Sequence, residues 1–294
     1  MKIQGQDLVE YKKILTTALA EFDRLCMQND ITYFAVGGTA IGTVRHKGFI
    51  PWDDDIDVAM TRKEFDKFIS LKKSLEKNRY KIITFQDDGY YLPSAKFYDS
   101  HTTIWEEEDH PYSMGAYIDI FPLDEVDNND LDLQYTVNCF QKKFVNLRKS
   151  KADYRISLLW RYLKEGHIKT VIRRLLDYTY ISFVSFFNKT YFIDKAIEQE
   201  CIQRTKSGDR ILNYNTFYPL NKEILPKDWF SSVIRMKFEN IEINMPIGYD
   251  NYLTQLFGDY MRLPPPEKRI GHHNCYYYNL KEHYSIEEIN RKIK

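Results

Sequence analysis

Residues 35–60 constrain the fold and the chemistry of this chain more than any other segment. They join a glycine pair, Gly37-Gly38, to four aspartates in five positions: Asp53, Asp54, Asp55 and Asp57. Carboxylates this close repel one another and raise each other's pKa unless a cation neutralises them. A glycine turn, in contrast, presents backbone N–H groups that suit a phosphate. The segment therefore predicts a divalent metal beside a phosphate-binding turn, the combination that phosphoryl transfer needs.

The local pattern places these residues on defined elements. Residues 31–36 are predicted to form a short buried strand, and the glycine turn then leads into a helix from about Thr39. The N–H groups and the positive end of that helix would face an anion. Residues 55–59 fit a second strand, on which Asp55 and Asp57 point to the same face because strand side chains alternate.

Two further charged residues lie in apolar runs. Asp119 interrupts the apolar run 116–121, and Lys96 interrupts the run 94–98. A charge rarely lies inside such a strand without a partner. We therefore predict that Asp119 is a third acid of the site, and that Lys96 either neutralises phosphate charge or has a structural role outside the site.

The acidic cluster has competing interpretations. Residues 53–64 have the length of a calcium loop, but Val58 stands where such a loop needs glycine. A glycosyltransferase could use Asp-x-Asp to hold a metal and a nucleotide sugar, although the glycine pair would then have no role. A solvated acidic turn would not place Asp57 between two apolar side chains. A nucleotidyltransferase-type site uses all of these features.

The remaining pattern predicts an α+β fold. Apolar residues at three- and four-residue spacing indicate an amphipathic helix over residues 8–25, and Thr61 and Glu64 form a capping box before another helix. Further strands are predicted at 81–85, 94–98, 102–105, 116–121, 231–238 and 241–244, and a helix at 250–257. We expect a nucleotidyltransferase-like mixed β-sheet core with flanking helices and a helical insertion.

Three parts of the chain are predicted from this order. Residues 1–128 form the catalytic core, 129–208 a helical insertion, and 209–294 a C-terminal part that completes the core and the site. Between residues 141 and 190 there are twelve Lys and Arg against three acids, interleaved with aromatic residues. This stretch is either a helical subdomain with solvated charges or a face for anionic lipid or a lipid-linked glycan.

Composition limits the partners and the cellular location that we expect for this chain. The chain has 42 basic and 42 acidic residues, so its overall charge does not indicate nucleic acid as a partner. Its four cysteines are scattered and suit a reducing compartment. We see no apolar run long enough for a membrane span. A cytoplasmic location is expected, with peripheral contact to the inner face of the membrane as an option.

Several blocks of the sequence resemble the LicD family. They cover residues 34–42, 45–58, 117–124 and 257–265. The resemblance implies a nucleotidyltransferase-type fold, and fukutin-related proteins are distant members of the family. Its best-known members move phosphorylcholine from CDP-choline onto glycans such as teichoic acid precursors or lipopolysaccharide, and others are implicated with different alditol phosphates.

The resemblance also implies roles for residues. Asp55 and Asp57 would hold Mg²⁺, with Mn²⁺ as an alternative, and Asp119 would act as a metal ligand or as the base. A CDP-linked donor and a glycan or lipid-linked glycan acceptor are the expected partners. Together with the residues singled out from the sequence itself, the expected phosphate or substrate contacts are Gly37, Gly38, Thr39, Arg45, Lys96, His272 and His273.

Some of these assignments have alternatives. Arg45 is either a phosphate clamp or a surface residue. His272 and His273 lie in a basic tail that could return to the site or bind metal with Cys275. For the whole protein, the alternatives to a phosphotransferase are a nucleotide-sugar glycosyltransferase and a non-catalytic glycan-binding or scaffold protein.

Overall fold

The computed structural model describes residues 2–87, 90, 92–107, 112–127, 156–187, 207–214, 218–271 and 274–293. The helices described are α1 (Gly5–Gln28), α2 (Gly37–His46), α3 (Arg62–Ser70), α4 (Ile156–Lys164), α5 (Ile168–Phe187), α6 (Leu220–Glu223), α7 (Tyr249–Phe257) and α8 (Ile286–Ile293). The strands described are β1 (Phe34–Ala35), β2 (Asp57–Thr61), β3 (Tyr80–Ile83), β4 (Ala95–Asp99), β5 (Thr103–Trp105), β6 (Tyr117–Val126), β7 (Arg210–Leu212), β8 (Leu225–Pro226), β9 (Val233–Phe238), β10 (Ile241–Pro246) and β11 (Tyr277–Asn279).

The central sheet is mixed, as predicted. Its strand order is β1-β2-β6-β4-β3, and β7 and β8 extend it from the second half of β6. Strands β2 and β6 are parallel, whereas the other neighbours in this sheet are antiparallel. Two smaller pairs, β9 with β10 and β5 with β11, lie outside this sheet. The α+β class is thus confirmed, while its likeness to nucleotidyltransferases stays a prediction.

Helix α1 packs one apolar face on this sheet. Leu15, Leu19 and Phe22 are fully buried, consistent with the periodicity that predicted the helix. The ring of Phe22 meets Tyr33, Phe68 and Phe97 at centroid distances of 5.0, 5.3 and 5.6 Å. Phe22 therefore joins α1 to the loop before β1, to α3 and to β4.

The elements around the aspartates differ from the predicted ones. Strand β1 is limited to Phe34 and Ala35, which pair with Ala59 and Val58. Strand β2 begins at Asp57 rather than Asp55, because its parallel partner β6 starts to pair with it there. Residues 53–56 consequently form a loop that enters the strand.

The capping box predicted at Thr61 and Glu64 is wrong, although α3 begins where it was expected. Thr61 is the residue before the helix, but its side chain makes no capping hydrogen bond. Glu64 Oε2 instead accepts a hydrogen bond from the backbone N–H of Thr32 at 3.1 Å. The glutamate thus ties α3 to the loop before β1, a tertiary contact that replaces the local one.

The predicted helical stretch 129–208 is described in part. Its described portion contains α4 and α5, two helices joined at residues 165–167 that contact each other. The rest of that stretch, apart from residues 207 and 208, lies outside the described residues, as do His272 and His273. The division of the chain into three parts stays a prediction.

Within the part of the chain that the structure describes, none of the helices combines the length and the apolar character needed to cross a bilayer.

We expect Phe22→Ala to lower the free energy of unfolding by about 3–5 kcal/mol, because it removes a buried ring and leaves a cavity among three aromatic neighbours. Urea unfolding followed by circular dichroism measures the change. Met27→Ala is the matched control on the same helix, since Met27 is 62% exposed, and it should change stability by less than about 0.5 kcal/mol. Equal effects of the two substitutions would contradict this packing of α1.

Candidate active site

A row of charged side chains crosses three neighbouring strands at the centre of the sheet. Asp57 at the start of β2 is the register partner of Asp119 on β6, and Asp119 is also the register partner of Lys96 on β4. Register partners on adjacent strands place their side chains on the same face, within reach of one another. The sheet therefore brings together three residues that are predicted to belong to the site.

Lys96 and Asp119 form an ion pair. The Nζ atom of Lys96 lies 2.9 Å from Oδ1 of Asp119, and the lysine side chain is only 3% exposed. Burial alone would lower the pKa of Lys96, but Asp119 and Glu106 outweigh this effect and raise it. The lysine is therefore held in its charged form. Burial raises the pKa of Asp119, and Lys96 opposes that rise.

Two more groups surround the Lys96 ammonium. Its Nζ lies 3.4 Å from the centroid of the Tyr117 ring, a cation–π contact. Glu106 lies 3.9 Å away and accepts a hydrogen bond from the Tyr117 hydroxyl. Lys96 is thus fixed by an aromatic face and two carboxylates, so its position in the site is well defined.

Asp57 is held at the start of its strand by its backbone. Its N–H donates a hydrogen bond to the Thr39 hydroxyl at 2.9 Å, and its carbonyl accepts one from Val36 at 3.1 Å. Burial raises the pKa of Asp57 well above its ordinary range, and the charges of Asp55, Asp119 and Asp53 raise it further. Lys96 opposes the rise but does not cancel it.

The loop before β2 brings three carboxylates together. One oxygen each of Asp53, Asp54 and Asp55 lies within 4.8 Å of the others. Lys12 on α1 braces this loop, since its Nζ donates to the carbonyls of Ile50 and Pro51 at 3.2 and 3.0 Å. The structure thus groups Asp53 and Asp54 with Asp55, the residue that the sequence analysis assigned to the metal.

These carboxylates suit a hard divalent cation. Mg²⁺ and Mn²⁺ prefer carboxylate oxygens, and the loop offers three such groups within a few ångströms. Burial is the main cause of the raised pKa of Asp57 and nearby acids add to it, so a bound cation would offset the negative charge there. The residues therefore fit a metal, although the predicted ligand set Asp55, Asp57 and Asp119 stays a prediction.

The glycine pair lies against these acids. Helix α2 begins at Gly37, two residues earlier than expected, and Gly37 has a left-handed φ of 55°. A Cβ atom on Gly37 would lie 3.0 Å from an Asp57 oxygen, and one on Gly38 would lie 2.4 Å from an Asp53 oxygen. A side chain at either position would push these carboxylates away, so the glycines let them approach the positive end of the helix.

The predicted phosphate contacts stay predictions, and the structure adds detail to each. The N–H of Gly37 donates to the Tyr252 hydroxyl at 3.0 Å, and Thr39 uses its hydroxyl to hold Asp57. Arg45 lies near the far end of α2, about 12 Å from Gly37 along the helix axis. There Nη1 of Arg45 donates to the carbonyl of Tyr260 at 2.6 Å. The structure thus brings Lys96 to the acids but does not bring Arg45 to them.

Aromatic residues from the C-terminal part were missed by sequence reasoning. Tyr252 on α7 reaches Gly37, and its ring packs edge-on against Phe230 at 5.5 Å. Burial raises the pKa of Tyr218, and the charges of Glu223, Asp57 and the loop aspartates raise it further. Tyr218 therefore lies within electrostatic range of the acids. The chain contains 23 tyrosines, so no local signal could have singled these out.

The sequence of this chain is similar to those of known proteins. Residues 30–152 match a family model described as "LicD/FKTN/FKRP, nucleotidyltransferase domain". The lipopolysaccharide cholinephosphotransferase LicD of Haemophilus influenzae is 32% identical over 268 residues, which cover 90% of this chain and 96% of that protein.

Two uncharacterized rickettsial proteins match shorter segments. The protein from Rickettsia typhi is 34% identical over 58 residues, 20% of this chain and 19% of its own length. The protein from Rickettsia prowazekii is 42% identical over 40 residues, 14% of this chain and 15% of its own length. The chain thus spans less than a fifth of these two relatives.

We expect Asp57→Asn to raise the stability of the metal-free protein at neutral pH. Because folding raises the pKa of Asp57, its ionisation opposes the folded state. This penalty is absent below the ordinary pKa of 3.8, grows as the pH rises toward the folded-state pKa, and is constant above it. Thermal unfolding in a chelator, from acidic to neutral pH, should show an advantage of the variant that grows with pH.

The control for this measurement is Glu76→Gln, which removes the same charge from an exposed side chain. It should leave the midpoint nearly unchanged at every pH. A lower midpoint for Asp57→Asn than for the wild type at neutral pH would contradict the unfavourable ionisation of the buried Asp57.

We expect Lys96→Met to destabilise the protein by about 3–5 kcal/mol, because it leaves the carboxylate of Asp119 buried without its ammonium partner. Adding Asp119→Asn to this variant should restore part of the loss, since the uncompensated charge is then removed. Chemical unfolding of the wild type, both single variants and the double variant forms a double-mutant cycle. A coupling energy near zero would show that the ion pair does not stabilise the fold.

Proposed function

Because this chain belongs to the LicD family, we propose that it transfers phosphocholine, or a related phospho-alditol, from a CDP-activated donor to a hydroxyl of a cell-surface glycan. The similarity to the Haemophilus protein, named a lipopolysaccharide cholinephosphotransferase, supports a phosphotransferase. It also supports a lipopolysaccharide-type acceptor. The single structural observation behind the proposal is the row of Asp57, Asp119 and Lys96 beside the three loop carboxylates.

In this proposal, Asp55 and Asp57 hold Mg²⁺, with Asp53 close enough to take part. Bound there, the cation would supply positive charge to offset the negative charge of the donor diphosphate. The backbone at Gly38 and Thr39 adds the positive end of α2 to the same region. The chain itself therefore supplies a second source of positive potential for the phosphates.

Asp119 is the proposed base. Its carboxylate accepts the proton of the acceptor hydroxyl, whose oxygen attacks the phosphorus that carries choline. The bond between that phosphorus and the bridging oxygen breaks, and CMP leaves with the bridging oxygen. Lys96 favours the ionised form of Asp119 before the step, because its ammonium group 2.9 Å away opposes the rise in pKa that burial causes.

Tyr218 is the proposed aromatic contact for the choline head group. A quaternary ammonium binds over an aromatic face, and Tyr218 is 42% exposed near the acids. The ring of Phe257 packs edge-on against Tyr218 at 5.6 Å and fixes its orientation. Two other aromatic residues are less suitable, because Trp105 is fully buried and Tyr117 already covers Lys96.

Calorimetric titration tests the donor and the metal together. CDP-choline, CDP-glycerol, CDP-ribitol and UDP-glucose are each titrated into the protein with and without Mg²⁺. We expect Mg²⁺-dependent binding of CDP-choline or of one other CDP compound. Binding of UDP-glucose alone would contradict the proposal and support a glycosyltransferase, whereas a folded protein that binds none of the four would support a scaffold.

The Asp57→Asn variant extends this test to catalysis. It should lose the Mg²⁺-dependent part of donor binding and lower the transfer rate by about 10²–10³, the usual cost of removing one group that stabilises transition-state charge. Glu76→Gln should transfer at the wild-type rate. Full transfer activity in folded Asp57→Asn would exclude this site.

A further inference from the structure

The helical hairpin, formed by α4, α5 and the turn at residues 165–167, exposes apolar side chains along both helices. On α4 these side chains recur at intervals of four and three residues: Ile156, Trp160 and Leu163. Trp160 is 61% exposed. A helix in a soluble domain normally turns such a stripe toward the core. Here the stripe faces outward.

Helix α5 continues the same pattern over its whole length. Its exposed apolar side chains are Ile168, Ile172, Leu175, Leu176, Tyr180, Phe183, Phe186 and Phe187. At 3.6 residues per turn most of these positions fall on one side of the helix. The hairpin packs through other residues, because Leu159, Val171 and Ile181 are buried. The outer stripe is therefore additional to the packing face.

The last turns of α5 are the most apolar part. Phe186 and Phe187 are 83% and 73% exposed, and residues 178–187 contain no charged side chain. The Phe187 ring contacts those of Phe183 and Phe186, each at a centroid distance of 5.2 Å. Together with Tyr178 these rings line a shallow apolar groove. Exposed patches of this kind mark interaction sites.

Basic residues accompany the apolar stripes. The hairpin contains five Lys and Arg against two acids, Glu165 and Asp177. Arg174 and Arg161 lie over the ring of Tyr162 at 5.2 and 5.8 Å, and Arg161, Lys164, Lys169 and Arg173 are exposed. An outward apolar stripe with Trp and Phe, bordered by basic side chains, is typical of a helix that lies in a membrane interface.

We propose that the helical hairpin docks this protein on an anionic phospholipid bilayer, with the aromatic end of α5 inserted among the lipids. The exposed Lys and Arg complement anionic headgroups, and each contributes to attraction at such a surface. A second copy of the chain fits less well, because pairing two hairpins would bring their basic borders together. This docking goes beyond the proposed transfer reaction and does not depend on it.

Co-sedimentation of the full chain with vesicles tests the docking. We expect binding to vesicles of phosphatidylcholine and phosphatidylglycerol, weaker binding to phosphatidylcholine alone, and weakening by salt. The double substitution Phe183→Ser and Phe187→Ser should lower the partition coefficient about a hundredfold, roughly tenfold for each buried aromatic side chain lost. Lys169→Glu with Arg173→Glu should lower binding to the anionic vesicles only.

The matched control is Val9→Ser with Met27→Ser, which removes two exposed apolar side chains of α1 and should leave vesicle binding unchanged. Circular dichroism confirms that each variant is folded. Failure of the wild type to bind anionic vesicles would overturn the proposal, as would unchanged binding by the Phe183 and Phe187 variant. A dimer detected by light scattering that this variant dissociates would instead assign the face to a second copy.

Discussion

The parallel pairing of β2 with β6 is the constraint on which the rest of the site depends. It places Asp57 directly beside Asp119, and the antiparallel partner β4 adds Lys96 to the same row. Burial raises the pKa of Asp57, and the neighbouring carboxylates, Asp119 among them, raise it further, so an ionised Asp57 is unfavourable in this interior. The packing of Phe22 on α1 against Phe97 on β4 is among the contacts that stabilise this sheet. Such a concentration of charge suits a site that receives a cation and phosphates.

The surrounding structure is arranged to keep the acids in place. Because Gly37 and Gly38 have no side chains, the carboxylates of Asp53 and Asp57 can approach the start of α2. The hydroxyl of Tyr252 meets the same turn from a position 215 residues further along the chain. Arg235 likewise binds Asp23 on α1 from β9. Contacts from the C-terminal part therefore fix the N-terminal part that carries the aspartates.

Local patterns predicted much of this fold and failed where a tertiary contact competes with a local one. The periodicity of α1 and the apolar runs of β4 and β6 were sufficient because burial acts along the whole element. The capping box failed because Glu64 binds the backbone of Thr32 instead of its own helix. Strands β7, β8 and β11 are short, and pairing with distant partners defines them. Their own residues carry little signal.

The sequence by itself determined the chemistry: which residues are charged, that four aspartates follow a glycine pair, and that Lys96 and Asp119 interrupt apolar strands. Only the tertiary structure decided how these groups combine. Strand register set Asp119 between Asp57 and Lys96, and the loop before β2 grouped Asp53 and Asp54 with Asp55. Hydrophobic periodicity states which face of an element is buried. It does not state which distant element will pack against that face. The pairing of distant elements is what forms the site.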